Sequence, residues 1–164
     1  MTSHTVSTIV EEITIDAPAE RIFEALVNPD ERVKWWGAEG SFRTTHMESD
    51  LREGGRWSMR GLRADGQPFT ITGEYREIAR PHRLVFTWRP DWQGHTDASL
   101  VRVDLSERDR ATTVRLTHSG LTAEARRTGH RGWPRILRWL RAHAEGVHAP
   151  VGDESGPAIQ RSRP

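Results

Sequence analysis

The sequence predicts an α+β fold: a curved antiparallel sheet of about seven strands, counting an N-terminal one, wrapped on a long C-terminal helix, with two short helices after the first strand. Three observations predict it. From Ser41 to Ser119 the apolar residues recur with period two, interrupted by turn signals. The segment Thr122 to Glu145 carries instead a helical apolar stripe long enough to cover a sheet. The first part of the chain reads as strand, helix, helix.

Each element has its own signal. Ile9, Ile13 and Ile15 alternate along Val6 to Asp16. Ala17-Pro18-Ala19-Glu20 follows, and a proline suits a first helical turn. Ile22, Phe23, Leu26 and Val27 form a helical stripe that Asn28-Pro29-Asp30 ends while capping a second short helix. Trp35 and Trp36 sit at the C-terminus of that helix, closed by Gly37. Turn signals then fall at Glu53-Gly54-Gly55, Ala64-Asp65-Gly66, Arg80-Pro81-His82, Pro90 to His95 and Glu107 to Arg110, which divides the middle of the chain into a meander of about six strands.

The hairpin at Asp65-Gly66 fixes a register. A three-residue loop with Gly66 left-handed pairs Trp57 with Gly73, Met59 with Ile71 and Gly61 with Phe69, whereas a two-residue loop would place Trp57 opposite Glu74. The three-residue loop is the expectation. Leu84, Phe86 and Trp88, then Val101, Val103 and Leu105, then Val114, Leu116 and His118 point to the same face. That face must be covered, and the stripe Trp133, Ile136, Leu137, Leu140 and Ala144 is the element that can cover it. Pro134 predicts that the continuous helix starts near Gly132-Trp133 or kinks there. Residues 1–5 are expected to be flexible, 6–145 to form one domain, and 146–164 to be a disordered tail rich in Gly and Pro.

Composition excludes several function classes. The 164 residues contain no cysteine, which removes disulfides and thiolate chemistry and fits a reducing cytosol. A net charge of +1 lacks the field of a nucleic-acid binder. No apolar stretch approaches the length needed to cross a bilayer, so a cytoplasmic protein is expected, with neither membrane nor nucleic acid as partner. The eight histidines show no metal-ligand spacing, and phosphate-loop and nucleophile-elbow motifs are missing. Neither a metal nor a cofactor is expected, and no catalytic residue is assigned.

The chain resembles the family of activator of heat-shock protein 90 ATPase homologues, within the START-like (SRPBCC) superfamily. The resemblance rests on Ile15 to Leu26, Trp35-Trp36-Gly37, Asp50 to Trp57, Gly73 to Ile78 with Pro81 and Arg83 to Phe86, Thr117 to Leu121, and Gly132-Trp133. It implies a START-like helix-grip fold with a cavity between sheet and long helix that admits apolar small molecules. It also implies two alternatives: a co-chaperone-like module that stimulates a heat-shock protein 90 type ATPase in a stress response, and a cyclase- or lyase-like enzyme using a pocket histidine.

Seven tryptophans are many for such a chain, and core duty alone can justify a ring worth roughly 4 to 6 kcal/mol when buried. Trp57, Trp88 and Trp133 can therefore be core or pocket wall, and of Trp35 and Trp36 one can plug the core while the other lies at the pocket mouth. Glu11, His46 and His118 fall on inward phases, either as hydrogen-bonded core groups or as polar groups that orient a ligand. The expected ligand-binding set comprises Trp35, Trp36, His46, Trp57, Met59 and Phe69. It continues with Ile71, Phe86, Trp88, His118, Trp133 and Leu137. The arginines of the last helix read as a solvated face, or else as a face for an acidic partner.

Overall fold

Alternating isoleucines make the first strand, and their partners are supplied by the end of the meander. In the computed structural model, which describes residues 7–93 and 98–146, β1 (Ser7–Ile15) pairs antiparallel with β7 (Ala111–Leu121). Between them in sequence lie α1 (Ala19–Val27), α2 (Pro29–Trp35), β2 (Arg43–Ser49), β3 (Arg56–Leu62), β4 (Pro68–Ala79), β5 (Arg83–Pro90) and β6 (Ser99–Arg108). The seven strands form one antiparallel sheet in the order β1-β7-β6-β5-β4-β3-β2. Irregularities in β1, β2 and β4 interrupt the ladder, and such bulges bend a sheet. The helix α3 (Ala123–Ala144) lies against the apolar face of this curved sheet. The flexible N-terminus and tail expected at 1–5 and beyond Gly146 lie outside the described residues.

The register expected at the β3–β4 hairpin is the one formed. Trp57 faces Gly73, Met59 faces Ile71 and Gly61 faces Phe69, with Gly66 at φ 88°. Each glycine makes room for an aromatic ring: a Cβ on Gly73 would come within 2.5 Å of Trp57 Nε1 and one on Gly61 within 2.7 Å of Phe69 Cζ. The inward residues of β5, β6 and β7 are all buried, as their alternation implied.

Two expectations fail for local reasons. Strand β2 is bulged between Thr44 and His46, so the alternation slips by one and His46 points outward into solvent instead of inward with Thr44. Helix α3 does not start at Gly132 but runs unbroken from Ala123 through Pro134. Thr122 caps it, its side chain accepting from the Ala125 N–H at 3.1 Å, and the cost of the proline is confined to the carbonyl of His130, which loses its N–H partner.

Candidate functional site

The two tryptophans at the end of α2 pack against each other but reach different neighbours, and the chain turns sharply after them. Asn28 caps α2 by accepting from the Asp30 N–H at 2.9 Å, which orients the helix. Gly37 then adopts φ 129°, where a Cβ would lie 2.4 Å from the Phe42 carbonyl oxygen. Thr44 donates both its backbone N–H (3.2 Å) and its hydroxyl (2.7 Å) to the Trp36 carbonyl, pinning that residue to β2. Trp35 turns into the core and donates its indole N–H to the Ala25 carbonyl at 2.9 Å. Trp36 stays in contact with it, the ring centres 5.2 Å apart and the planes tilted by 50°. Its ring packs 6.1 Å from Trp88 and 5.9 Å, edge to face, from Trp133.

Trp36, Trp88 and Trp133 form the floor of a cleft of about 1,130 Å³. Phe42, Phe69, Ile71 and Trp92 form one wall, and the first half of α3 forms the other. The cleft lies between the sheet and α3, along that helix as far as Arg138, and does not continue toward its C-terminal end. There Trp35, Phe86, Leu137 and Leu140 close the space to about 20 Å³, room for one water molecule. Of the expected ligand-binding residues, Trp36, Phe69, Ile71, Trp88, His118 and Trp133 line the cleft. Trp35, Phe86 and Leu137 belong to the closed core, Trp57 and Met59 are buried beneath the sheet's apolar layer, and His46 is on the outer surface. Glu11 is half-buried, its carboxylate 4.0 Å from His130 Nδ1.

His118 sits at the back of the cleft in a closed hydrogen-bond chain. The Trp133 indole can only donate, and its Nε1 lies 2.9 Å from His118 Nδ1, so Nδ1 is the unprotonated nitrogen. Nε2 then carries the hydrogen and donates to Ser99 Oγ at 2.7 Å, and Ser99 in turn donates to the Trp88 carbonyl at 3.3 Å. Burial pushes the imidazole down to about 4, so it is neutral at physiological pH. Its lone pair is occupied. In this arrangement His118 orients two cleft tryptophans and offers no free base to a substrate.

Arg32, which the sequence did not single out, is buried beneath the floor. Its guanidinium carbon lies 4.4 Å from the Trp36 ring centre and 5.9 Å from that of Trp57, and Nη1 donates to the Leu26 carbonyl at 2.6 Å. Burial lowers its pKa to about 10, so it remains a cation at neutral pH and holds Trp36 from below by a desolvated cation–π contact. An arginine on a seven-residue helix gives no sequence signal for such a role. The arginines of α3 do, through their spacing: Arg127, Arg131, Arg135 and Arg138 recur every three or four residues and all line the cleft, joined by Arg63 from the β3–β4 loop.

The model of the Activator of Hsp90 ATPase homolog 1-like proteins matches residues 16–145. The chain belongs to this family. No curated protein matches the chain significantly. Among solved structures, protein CV1439 from Chromobacterium violaceum is 27% identical, with a TM-score of 0.77 over 84% of this chain and 96% of its own. An AHSA1-like protein from Aeromonas hydrophila, solved by NMR, is 25% identical, with a TM-score of 0.70 over 90% and 100%. A Rhodobacter sphaeroides protein at 20% identity shares the fold, with a TM-score of 0.73 over 86% and 94%. The AHSA1-like domain of this chain thus has the START-like helix-grip architecture, and among the described residues no helix is long and apolar enough to cross a membrane.

Proposed function

We propose that this AHSA1-like protein binds a small apolar molecule in the cleft between the tryptophan floor and the first half of α3, as a single domain over residues 6–145 acting in the cytoplasm. One observation carries the reading: an open cleft of about 1,130 Å³ with a preformed aromatic floor, roomier than the roughly 300 to 1,000 Å³ of ordinary small-molecule sites and sharing their apolar floor. Binding without chemistry fits the engaged lone pair of His118 and the outward position of His46. A co-chaperone-like module would act through the Trp35–Trp36 loop and the arginines of α3, and of these the two rings are buried, at 4% and 3% exposure, while Arg127, Arg131 and Arg138 are exposed.

Gly132 gives the test. It lines the cleft, and a Cβ there would meet nothing within 4 Å. Gly132→Leu should obstruct the cleft beside the Trp133 ring while leaving the fold intact, since replacing a mid-helix glycine gains up to about 1 kcal/mol of helix propensity. Titration with the neutral fluorophore N-phenylnaphthylamine should show saturable binding to the wild type and at least about tenfold weaker binding to the variant. Wild-type protein that fails to bind the probe, or a variant that binds it equally well, would remove the proposal.

A further inference from the structure

The rim of the cleft is charged in one sense. Arg63, Arg127, Arg131, Arg135 and Arg138 line it against a single carboxylate, that of Glu124. Arg63 is 4.0 Å from Asp91, outside the cleft lining, and its guanidinium lies 4.9 Å from the exposed Trp92 ring. Among the described residues the other four arginines form no ion pair. Four arginines on successive turns of one helix repel one another, and an arrangement that keeps them together around an apolar hollow is stabilised when an anion enters.

Arg135 sharpens this. Its guanidinium carbon lies 5.7 Å from the Phe42 ring centre and 5.2 Å from that of Trp139, so it packs on the wall and is only partly exposed. Its Nε is buried and has no hydrogen-bond partner. A buried N–H without an acceptor is unfavourable until one arrives, and a ligand oxygen in the cleft would supply it.

Resting on the reading that the cleft binds small apolar molecules, we propose that its ligand is an amphipathic organic anion, with a ring-built or acyl body on the Trp36–Trp88–Trp133 floor and a carboxylate, sulfonate or phosphate group held by Arg131, Arg135 and Arg138. The floor selects the body and the arginines select the end. Neither part alone reproduces the preference: an inorganic anion forgoes the aromatic floor, and a neutral hydrocarbon leaves the arginines unpaired.

Two fluorophores that differ in one group separate these contributions. N-phenylnaphthylamine is neutral, and anilinonaphthalene sulfonate adds a sulfonate to the same ring system. The wild type should bind the sulfonate about tenfold more tightly than the neutral probe, and raising sodium chloride from about 0.05 to about 0.5 M should erode most of that advantage. The double variant Arg131→Gln/Arg138→Gln, at two exposed positions, should bring the two affinities within about twofold of each other, chiefly by weakening binding of the sulfonate. Arg135→Gln, measured separately because Arg135 also packs on the wall, should lower the sulfonate preference as well. Sodium phosphate at matched ionic strength should displace neither probe. Equal affinities in the wild type, a preference that survives all three substitutions, or displacement of the sulfonate by phosphate alone would overturn the inference while leaving apolar binding in place. Absence of binding by either probe would overturn both.

Discussion

At the scale of single residues, His118 makes the clearest commitment, because one neighbour decides its tautomer and burial decides its charge. Its pKa falls from an ordinary value near 6.5 to about 4 on folding, so between these values the unfolded chain takes up a proton that the native protein refuses. Stability from this group is therefore complete above pH about 6.5 and is lost progressively as pH falls toward about 4, by about 1.4 kcal/mol per pH unit. His118→Gln isolates the effect, since a neutral amide can accept from Trp133 and donate to Ser99 but cannot be charged. In urea unfolding, the wild type should lose about 2 kcal/mol more than the variant between pH about 7.5 and about 5, and parallel losses would mean that His118 is not the buried neutral group described. The inward phase of His118 was readable from β7, because that strand keeps strict alternation. His46 was not, because a bulge inserts an uncounted residue and nothing in Thr44-Thr45-His46 announces it. Arg32 escaped for another reason: burial of a lone cation depends on two tryptophans from different parts of the chain, Trp36 after α2 and Trp57 on β3, and no local pattern encodes that convergence.

At the scale of elements, α3 is one helix with two unequal halves. From Trp133 onward it buries Trp133, Ile136, Leu137, Trp139 and Leu140, and its end is tied down by polar contacts. Glu31 of α2 accepts from Arg21 of α1 at 2.7 Å and from His143 of α3 at 2.8 Å, and the Asp16 N–H donates to Glu145 at 2.8 Å. Burial alone would raise the Glu31 pKa, but the hydrogen bonds from Arg21 and His143 outweigh it and keep the carboxylate ionised. The first half has no buried residue, contains Gly129 and Gly132, and ends at a proline that cannot bond to His130. Two glycines and a proline each weaken a helix interior by about 1 to 3 kcal/mol, so this half depends on its cap, on Ala125 packing against the core, and on contacts with β1: Gly129 against Ile9, the Arg126 Nε–H donated to the Thr8 carbonyl at 3.4 Å, and His130 4.0 Å from Glu11. Amides of Arg126 to Arg131 should therefore exchange with deuterium at least about a hundredfold faster than those of Leu137 to Leu140, and uniform protection along α3 would contradict this division. Pro134 pointed to a helix start near Gly132-Trp133 or a kink, and the start is not formed, because the helix runs from Ala123 to Ala144 with the proline inside it. The proline marks a change in how the helix is anchored, which depends on tertiary contacts that periodicity cannot show. The arginines read as a solvated face or a face for an acidic partner, because helical spacing says which residues share a face, not whether that face borders a hollow.

At the scale of the molecule, the cleft lies between the part of the structure held most firmly and the part held least. Its floor is fixed from three sides, by the Arg32 contact beneath Trp36, the His118 chain behind Trp88 and Trp133, and the pairing of β5 with β6. Its outer wall is the first half of α3. A molecule that touches both must couple them, because it binds the native arrangement and loses its contacts when that half of the helix frays. Two consequences belong to the whole chain. With anilinonaphthalene sulfonate at about a hundred times its dissociation constant, the native state gains about 2.7 kcal/mol, which for a domain of this size raises the thermal midpoint by roughly 5 to 10 °C. The accompanying slowing of amide exchange should be largest in Ala123 to Gly132 and small in β6 and β7, whose ladder is already complete without a ligand. A rise in midpoint with protection spread evenly over the sheet would place the probe elsewhere on the protein. A rise confined to the early α3 amides would locate binding at the cleft independently of any substitution.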